Sequence, residues 1–226
     1  MKNKFLVIII AVAAVMLSAC ASQRMNLSYD ASQGEVQKLP KPVTGAIIPL
    51  EDAREKTQIY PKQVIKQTSY TGQVTYDIND RSVEDVMNNA LAAELGNLGV
   101  KAVETEGIKG PLDKETADRI RKRVMAEYPD VQVAFGGRIT DFMASSTRTL
   151  VANKVHVVAA MQFYVLDVKT GDLLWSDYKT EWDDTVESVS HNYMIGQLNK
   201  ALAALMHKTV RDNTSLRDLL VKISGR

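Results

Sequence analysis

The chain has 226 residues and a formal net charge of +1. A charge this close to zero argues against a nucleic-acid or polyanion partner, which an excess of basic residues would indicate. Cys20 is the only cysteine, so the rest of the chain has no intramolecular disulfide, thiol nucleophile or cysteine-rich metal site.

An export signal is the first element that the sequence predicts. Lys2 and Lys4 give a short basic start, and residues 5–16 follow as one uncharged apolar run. Because a spanning helix needs about 20 apolar residues, this run is too short to cross a bilayer comfortably. We therefore predict a secretion signal over residues 1–19, whose removal takes away both lysines and leaves a formal charge of −1.

The four residues that end this segment carry a lipidation motif. Leu17-Ser18-Ala19-Cys20 resembles the lipobox of bacterial lipoproteins, in which a diacylglycerol is attached to the cysteine and the preceding peptide bond is cut. The resemblance implies cleavage between Ala19 and Cys20 and a lipid on Cys20. The alternative is that Cys20 is a small buried residue at the end of a membrane anchor.

The residues after Cys20 bear on which membrane holds the protein and on how far the domain can lie from it. Lipoproteins with Asp directly after the cysteine are usually retained at the inner membrane, and this chain has Ala21 and Ser22 there. In a Gram-negative host, the resemblance thus implies a lipid anchor in the outer membrane, on the periplasmic side. Residues 20–42 are polar and aperiodic and end in Pro40 and Pro42, which predicts a lipidated N-terminus and flexible tether.

The predicted periplasmic domain spans residues 43–226 and opens with a β-branched run. Pro49, near the end of this run, would confine it to a sheet edge or a strand end. Residues 51–67 are charged and aperiodic, which indicates a long loop, and residues 74–78 predict a short strand. If Pro49 marks an exposed sheet edge, we expect that edge and the adjoining loop to form the docking region for a partner.

Two helices follow. Ser82 is suited to cap the first, whose apolar residues recur at helical spacing as far as Leu98, with Gly99 at the stop position. Residues 100–103 predict a strand. A second helix over 114–127 carries the basic residues Arg119, Arg121, Lys122 and Arg123 close together. Ion pairing of Arg119 and Lys122 with Glu115 and Asp118 along a solvated face is favoured over an anion-binding patch.

The last part of the chain predicts a sheet and then a helix. Residues 131–142 form a strand interrupted by a bulge at Gly136-Gly137, and residues 155–166 form a long central strand. Residues 167–172 give a hairpin turn with Gly171 at positive φ, followed by a returning strand over 173–182. A closing helix spans 190–211. The order predicts an α+β fold: a two-layer sandwich of a mainly antiparallel sheet packed by amphipathic helices.

The sequence predicts no catalytic residue, no cofactor and no metal site. His156, His191 and His207 lack the spacing of a metal-binding helix, and His156 is interpreted as a core or edge histidine. Ser190-His191 near Asp183 and Asp184 would be a poor hydrolase triad without a nucleophile elbow. The acidic cluster of Glu181, Asp183, Asp184 and Glu187 lacks the calcium-loop pattern.

A family resemblance covers most of the chain. Asp52-Ala53-Arg54 and the ending at residues 212–220 (DNTSLRDLL) resemble the YajG-like bacterial lipoproteins. This implies an envelope protein with no assigned chemistry. We therefore expect a non-enzymatic, membrane-anchored binding or assembly factor, with the membrane and an envelope protein as partners. An auxiliary lipoprotein of an ABC-type lipid or solute transporter is the main alternative, and an envelope hydrolase is the least favoured.

Overall fold

The computed structural model describes residues 24–25, 27–31, 36–54, 63–69, 72–78, 81–105, 107–108 and 110–226. The predicted signal peptide, the cleavage site at Ala19 and the lipidation site at Cys20 lie outside these residues. Among the described residues, no helix has the length and apolar character needed to cross a membrane.

Among the described residues, nine strands form one sheet, together with four α-helices and one π-helix. The strands are β1 (Arg24–Met25), β2 (Val43–Ile47), β3 (Glu51–Asp52), β4 (Gln63–Ser69), β5 (Gly72–Ile78), β6 (Val100–Glu104), β7 (Val133–Arg148), β8 (Asn153–Asp167) and β9 (Leu173–Val186). The helices are α1 (Val83–Leu98), α2 (Ala117–Glu127), α3 (His191–Met206), the π-helix (His207–Arg211) and α4 (Thr214–Ser224).

Three long strands, β7, β8 and β9, are antiparallel to one another, with β8 between the other two and β9 as the outer described strand on that side. They pair over almost their full lengths, from Val133 opposite Asp167 to Arg148 opposite Asn153 in the first pair. The turn between β8 and β9 has Gly171 at φ +82°, which confirms the predicted hairpin. The short β-strands extend the sheet on the other side of β7.

That free side of β7 is shared by three strands in succession because β7 has 16 residues and each partner is shorter. β2, β3 and β4 each pair with it in parallel, in that order along its length. β2 also pairs with β6, so it lies inside the sheet and Pro49 follows a strand end. The expectation of an exposed edge at Pro49 is wrong; on that side the outer described strand is β6. The predicted long loop contains β3 and the start of β4, and residues 55–62 lie outside the described part.

Gly136 and Gly137 do not form the predicted bulge. Both pair in regular register with β8, and the irregularity lies between Ile139 and Asp141. A Cβ on Gly137 would stand 1.9 Å from the carbonyl oxygen of Gln162, and one on Gly136 would stand 2.8 Å from the Leu112 Cβ. The glycines are needed for close approach of neighbouring chain segments rather than for an extra residue in the strand.

Two cores lie on opposite faces of the sheet, since strand side chains alternate between faces. On the main face, α1, α3 and α4 cover β7 and β8, and Leu95, Phe142 and Leu202 are fully buried there. On the other face, α2 buries Ile120 and Val124 against a smaller cluster. The predicted α+β sandwich is confirmed, and α2 adds a partial third layer.

Three predicted helix ends are confirmed. Ser82 and Asp85 form a reciprocal capping box at the start of α1, and Gly99 ends that helix at φ +98°. Ser190 caps α3 by accepting the Tyr193 backbone N–H at 3.1 Å. The closing helix differs from the prediction because it passes into a π-helix at His207 and is followed by the separate helix α4, capped by Asn213.

Candidate functional site: the dock of the N-terminal strap

The segment that leads from the predicted lipid site lies on the helices of the domain. We call residues 27–31 and 36–39 the N-terminal strap. Leu27 and Leu39 are buried in the main core, at 6% and 8% exposure. The Leu39 N–H donates to the Leu98 carbonyl at 2.8 Å. Ordered packing thus begins well before residue 43, where the sequence predicts the domain to start.

Polar contacts from the helices also hold the strap. The Asn97 side chain in α1 donates to the Ala31 carbonyl at 2.7 Å. The Ser28 N–H donates to the Asn199 side chain in α3 at 3.2 Å. Strap backbone groups therefore have partners on two different helices, which fixes the strap to the domain at several points.

A buried ion pair lies beneath the strap. The Glu94 side chain in α1 is fully buried, and that of Arg211 is 9% exposed. Arg211 meets it in a two-pronged contact, with Nη2 to Oε1 at 2.6 Å and Nε to Oε2 at 3.2 Å. Two charges removed from water in this way need close pairing and further hydrogen bonds to be tolerated.

The strap supplies those further hydrogen bonds. The Tyr29 hydroxyl donates to Glu94, and Arg211 also donates to the Ala31 carbonyl at 3.4 Å. Burial raises the pKa of the Tyr29 hydroxyl, and the bond to Glu94 raises it further, so the phenol stays protonated and remains a donor. The strap and the buried pair thus stabilise each other.

The π-helix places Arg211 in this site. Arg211 is its last residue, and within the same turn the Thr209 hydroxyl donates to the Leu205 carbonyl at 2.8 Å. π-helical turns are rare and occur often at functional sites. The sequence contained one usable signal for the dock, since Glu94 interrupts the apolar face formed by Ala90, Leu91, Leu95 and Leu98. A carboxylate at such a position needs a cationic partner, but its distance in sequence from Arg211 hides the partner.

The residues considered for chemistry are dispersed. His156 contacts Asp183 at 2.9 Å and Glu181 at 3.5 Å on the surface of β8 and β9. Because β8 is paired on both sides, the prediction of a core or edge histidine is wrong, and His156 is a partly exposed histidine on an inner strand. Asp184 accepts instead from the Tyr193 hydroxyl at 2.5 Å. Ser190 serves as a helix cap. Asp184 and Ser190 therefore contact Tyr193 rather than forming a serine–histidine–aspartate triad. Within the described residues, no group of three or more His, Cys, Asp or Glu could hold a metal ion.

The Asp52–Arg54 pair of the family resemblance has a structural role. The guanidinium, 4% exposed, binds the Asp52 carboxylate through Nε at 2.8 Å and Nη2 at 2.6 Å. Its Nη1 donates to the Phe142 carbonyl at 3.2 Å. The pair therefore fastens the segment after β3 to the middle of β7.

Two basic residues of α2 are also engaged with the protein itself. Arg123 forms an ion pair with Glu127 at 2.9 Å, and Arg121 donates to the carbonyls of Val168 and Lys169 at 2.8 Å each. The Arg123–Glu127 pair is of the predicted kind, although the sequence placed the pairing between Glu115 or Asp118 and Arg119 or Lys122. It leaves no reason to assign an anion site to α2.

Two cavities of moderate size open on the described surface. One of about 490 Å³ lies beside Asp167 and Arg226, which are paired with each other at 2.7 Å. The other, of about 350 Å³, lies between β6 and α1 and is lined by Asn88, Asn89 and Thr105 among apolar residues. Neither brings a nucleophile and a base together among the described residues, in contrast to the usual make-up of an enzyme site.

Comparisons with known proteins identify a similar fold but no function. No protein-family model matches the sequence, and no curated protein is significantly similar to it. Protein XCC0632 from Xanthomonas campestris, assigned to family DUF330, is 8% identical with a TM-score of 0.54, covering 88% of this chain and 99% of that chain. Lipoprotein GNA1162 from Neisseria meningitidis is 10% identical with a TM-score of 0.34, covering 72% of this chain and 96% of that chain.

At this identity, the similarity to XCC0632 shows a shared fold alone. The resemblance to the YajG-like family stays a prediction that rests on the residues quoted for it.

Proposed function

We propose that this chain is a non-enzymatic lipoprotein of the bacterial cell envelope, exported by residues 1–19 and anchored by a lipid on Cys20. Its folded domain serves as a binding or assembly factor in the periplasm, at the outer membrane. The observation that carries the proposal is the docked strap, which joins the motif at Cys20 to a buried ion pair in the domain.

The strap limits how far the domain can stand from its anchor. Leu27 is buried in the core and follows Cys20 by only seven residues. Seven residues span at most about 25 Å when fully extended. A lipid on Cys20 would thus hold the domain close to the membrane surface, whereas a free tether as far as residue 42 would let it move away.

A non-enzymatic role fits the distribution of ionisable groups. The buried charged groups at Glu94, Arg211, Asp167 and Arg54 are all engaged in pairs that join chain segments. Asp167 does lie beside a cavity, but its carboxylate is bound to Arg226, whereas catalytic sites bring several titratable groups together on one accessible cavity. The buried charges of this domain maintain its architecture.

Fractionation with mass analysis tests the anchor. Wild type, Cys20→Ser and Ala21→Asp are compared for the mass of the N-terminal peptide and for membrane distribution. We expect an acylated Cys20 in the outer-membrane fraction for wild type, an uncut or soluble product for Cys20→Ser, and inner-membrane retention for Ala21→Asp. An unmodified wild-type Cys20 would refute the lipoprotein proposal, while an acylated protein in the inner membrane would refute only the sorting.

In-cell crosslinking of the lipidated protein tests the binding role. A photocrosslinker at Asn89, beside the cavity between β6 and α1, is compared with one at Lys122 on the charged surface of α2. We expect an envelope protein to be captured from Asn89 in preference to Lys122. Capture of a transporter subunit would favour the alternative of a transporter auxiliary lipoprotein, and equal capture at both positions would argue against this surface.

A further inference from the structure

The backbone of β6 turns a donor and an acceptor away from the sheet. The Ile48 N–H, just after β2, donates to the Phe135 carbonyl at 2.8 Å, so alternate residues of this segment direct their backbone groups to β7. Gly45 therefore directs its groups to β6, where Ala102 lies directly opposite. In a parallel pair, the residue opposite a bonded one points its own groups away. The N–H and C=O of Ala102 thus face outwards.

This outer side of β6 is an open edge within the described part of the chain. There, β2 is the only strand that pairs with β6. Ala102 is exposed, whereas Val100 at the start of the same strand is only 4% exposed. An exposed strand edge presents backbone groups that another extended chain can bind. The edge at Ala102 is therefore able to accept a further strand.

A groove lies between this edge and α1. It contains the cavity of about 350 Å³, which is lined by Asn88, Asn89 and Ala92 of α1 and by Ala102 and Val103 of β6 among others. The side chains of Ala92 and Ala102 end at Cβ and leave the space between helix and strand unfilled. Because strand side chains alternate between faces, every second side chain of a strand added outside β6 would enter this groove.

The chemistry of the groove suits an uncharged peptide. None of the described residues that line the cavity is ionisable. The exposed Lys101 lies on the opposite face of β6, since it alternates with Ala102. Asn89 is exposed, and its side-chain amide offers a donor and an acceptor, as a peptide group does. A charged ligand would lack a counter-charge here, whereas a peptide backbone with small aliphatic side chains would find partners.

We propose that an extended, uncharged segment of an envelope protein adds as a strand to the outer edge of β6, with alternate side chains in the groove beside α1. The backbone of the added strand donates to the Ala102 carbonyl and accepts the Ala102 N–H. This inference rests on the proposed binding role, because the crosslinking position at Asn89 borders the same groove.

Peptide selection on the full mature lipidated protein in detergent micelles tests the proposal. The probe is a phage-displayed library of random linear peptides, and the enriched peptide is synthesised with a fluorescent label for titration. Ala92→Phe fills the groove from α1, and Ala102→Pro removes the outward N–H at an edge position, where proline is tolerated. Ala93→Phe is the matched control, since Ala93 is half-buried like Ala92 but does not line the cavity. The melting temperature of each variant is recorded in parallel.

We expect an uncharged peptide with alternating small aliphatic residues to bind the wild type and Ala93→Phe equally. Its Kd should rise about tenfold or more in Ala92→Phe and in Ala102→Pro, because each variant leaves polar groups of the complex without partners or closes the groove. Hydrogen exchange resolved to single residues should slow at the Ala102 N–H when the peptide binds. Exchange at the Val103 N–H, which faces β2, should not change.

Three results would overturn strand addition. The first is that no peptide is enriched on the wild type relative to Ala92→Phe. The second is peptide binding that leaves exchange at Ala102 unchanged. The third is protection of the Ala102 N–H in the protein alone that increases with protein concentration, which would assign the edge to a second copy of the chain.

The crosslinking experiment in cells separates this inference from the binding role itself. Capture from Asn89 that Ala102→Pro does not weaken would overturn strand addition and leave the binding role standing. Absence of any capture from Asn89 would overturn the binding role at this surface, together with the inference that rests on it.

Discussion

Two groups of ionisable residues in this molecule differ in burial, and the difference decides what each does. The pair of Glu94 and Arg211 is almost fully buried beneath the strap, whereas the group of His156, Lys179, Glu181 and Asp183 is exposed on β8 and β9. The exposed group is dense in sequence and invites a functional interpretation. The buried pair joins residues distant in sequence and holds the domain to its N-terminal segment.

The contributions of the two groups to the free energy of unfolding should differ accordingly. Surface ion pairs contribute about 0–1 kcal/mol each, because water screens the charges and the side chains lose freedom. Removing one partner of a buried pair costs about 3–5 kcal/mol, because the other charge is left without compensation. Four predictions test this contrast, from the largest expected effect to the smallest.

Arg211→Ala should cause the largest loss. It leaves the Glu94 carboxylate buried without its cation, so we expect the free energy of unfolding to fall by about 3–5 kcal/mol in urea denaturation. His156→Ala, the control from the exposed group, should change it by about 0.5 kcal/mol or less. A loss below about 1 kcal/mol for Arg211→Ala would show that the buried pair does not stabilise the dock.

The double variant Glu94→Leu with Arg211→Met separates the charge penalty from the packing. It replaces both charges by apolar groups of similar size, and such replacements are often neutral or stabilising. We expect it to recover most of the stability that Arg211→Ala loses. A double variant as unstable as the single one would mean that shape, rather than the uncompensated charge, accounts for the loss.

The next prediction compares two similar hydrogen bonds. The Tyr29 hydroxyl donates to buried Glu94, and the Tyr193 hydroxyl donates to exposed Asp184. Tyr29→Phe should reduce the free energy of unfolding by about 2 kcal/mol, since the lost bond is to a charged group without access to water. It should also accelerate amide hydrogen exchange in the strap. Tyr193→Phe should have little effect on either measurement, because water can replace the lost donor.

The sequence predicts features that depend on residues close together in the chain and misses those that depend on distant ones. The helix ends at Ser82, Gly99 and Ser190 and the turn at Gly171 were predicted because caps and turns depend on residues close together in sequence. β4 was missed, because its place beside β7 depends on pairing between residues about 80 positions apart, as in Ile65 opposite Ala144.

The dock was missed for a similar reason. Glu94 was visible as a polar break in an apolar helix face, but its partners at Tyr29 and Arg211 lie far away along the chain. The composition of the strap is polar enough to indicate a free tether. Only the fold brings Leu27 and Leu39 to apolar surface, so the docking of this segment is a tertiary property.

The third prediction concerns the pH dependence of a buried carboxylate outside the dock. Burial alone would raise the pKa of Asp167, but hydrogen bonds from the Thr170 backbone and from Arg226 outweigh it and hold the pKa below its usual 3.8. Because the folded-state pKa is depressed, the stability from Asp167 is present above the unfolded value and is lost as the pH falls through the lower folded value. Asp167→Asn should flatten the acid limb of stability below about pH 4.

Asp172→Asn serves as the control for that experiment, because Asp172 lies in the same turn with its side chain exposed. It should leave the acid limb unchanged. If Asp167→Asn and wild type lose stability in parallel as the pH falls, the buried carboxylate does not contribute to the acid sensitivity.

The smallest effect is expected where the sequence most invites a catalytic interpretation. His191→Ala and Asp184→Ala, made separately, should leave the cellular function of the protein intact. Asp184 is engaged by Tyr193 at 2.5 Å, and that bond lowers the pKa of the Asp184 carboxyl and raises that of the Tyr193 hydroxyl, so the aspartate stays ionised without serving a histidine. The neighbouring Ser190 hydroxyl already accepts the Tyr193 N–H in the first turn of α3.

The measurement is complementation of a deletion strain by each variant, with protein level and melting temperature recorded in parallel. Arg211→Ala belongs in the same series, since its predicted loss of stability should lower both level and function. A failure of His191→Ala or Asp184→Ala at normal level and melting temperature would reveal a reactive site on β9 and α3. Equal complementation by these two variants, beside a defective Arg211→Ala, is the result expected of a protein whose essential charges are the buried ones.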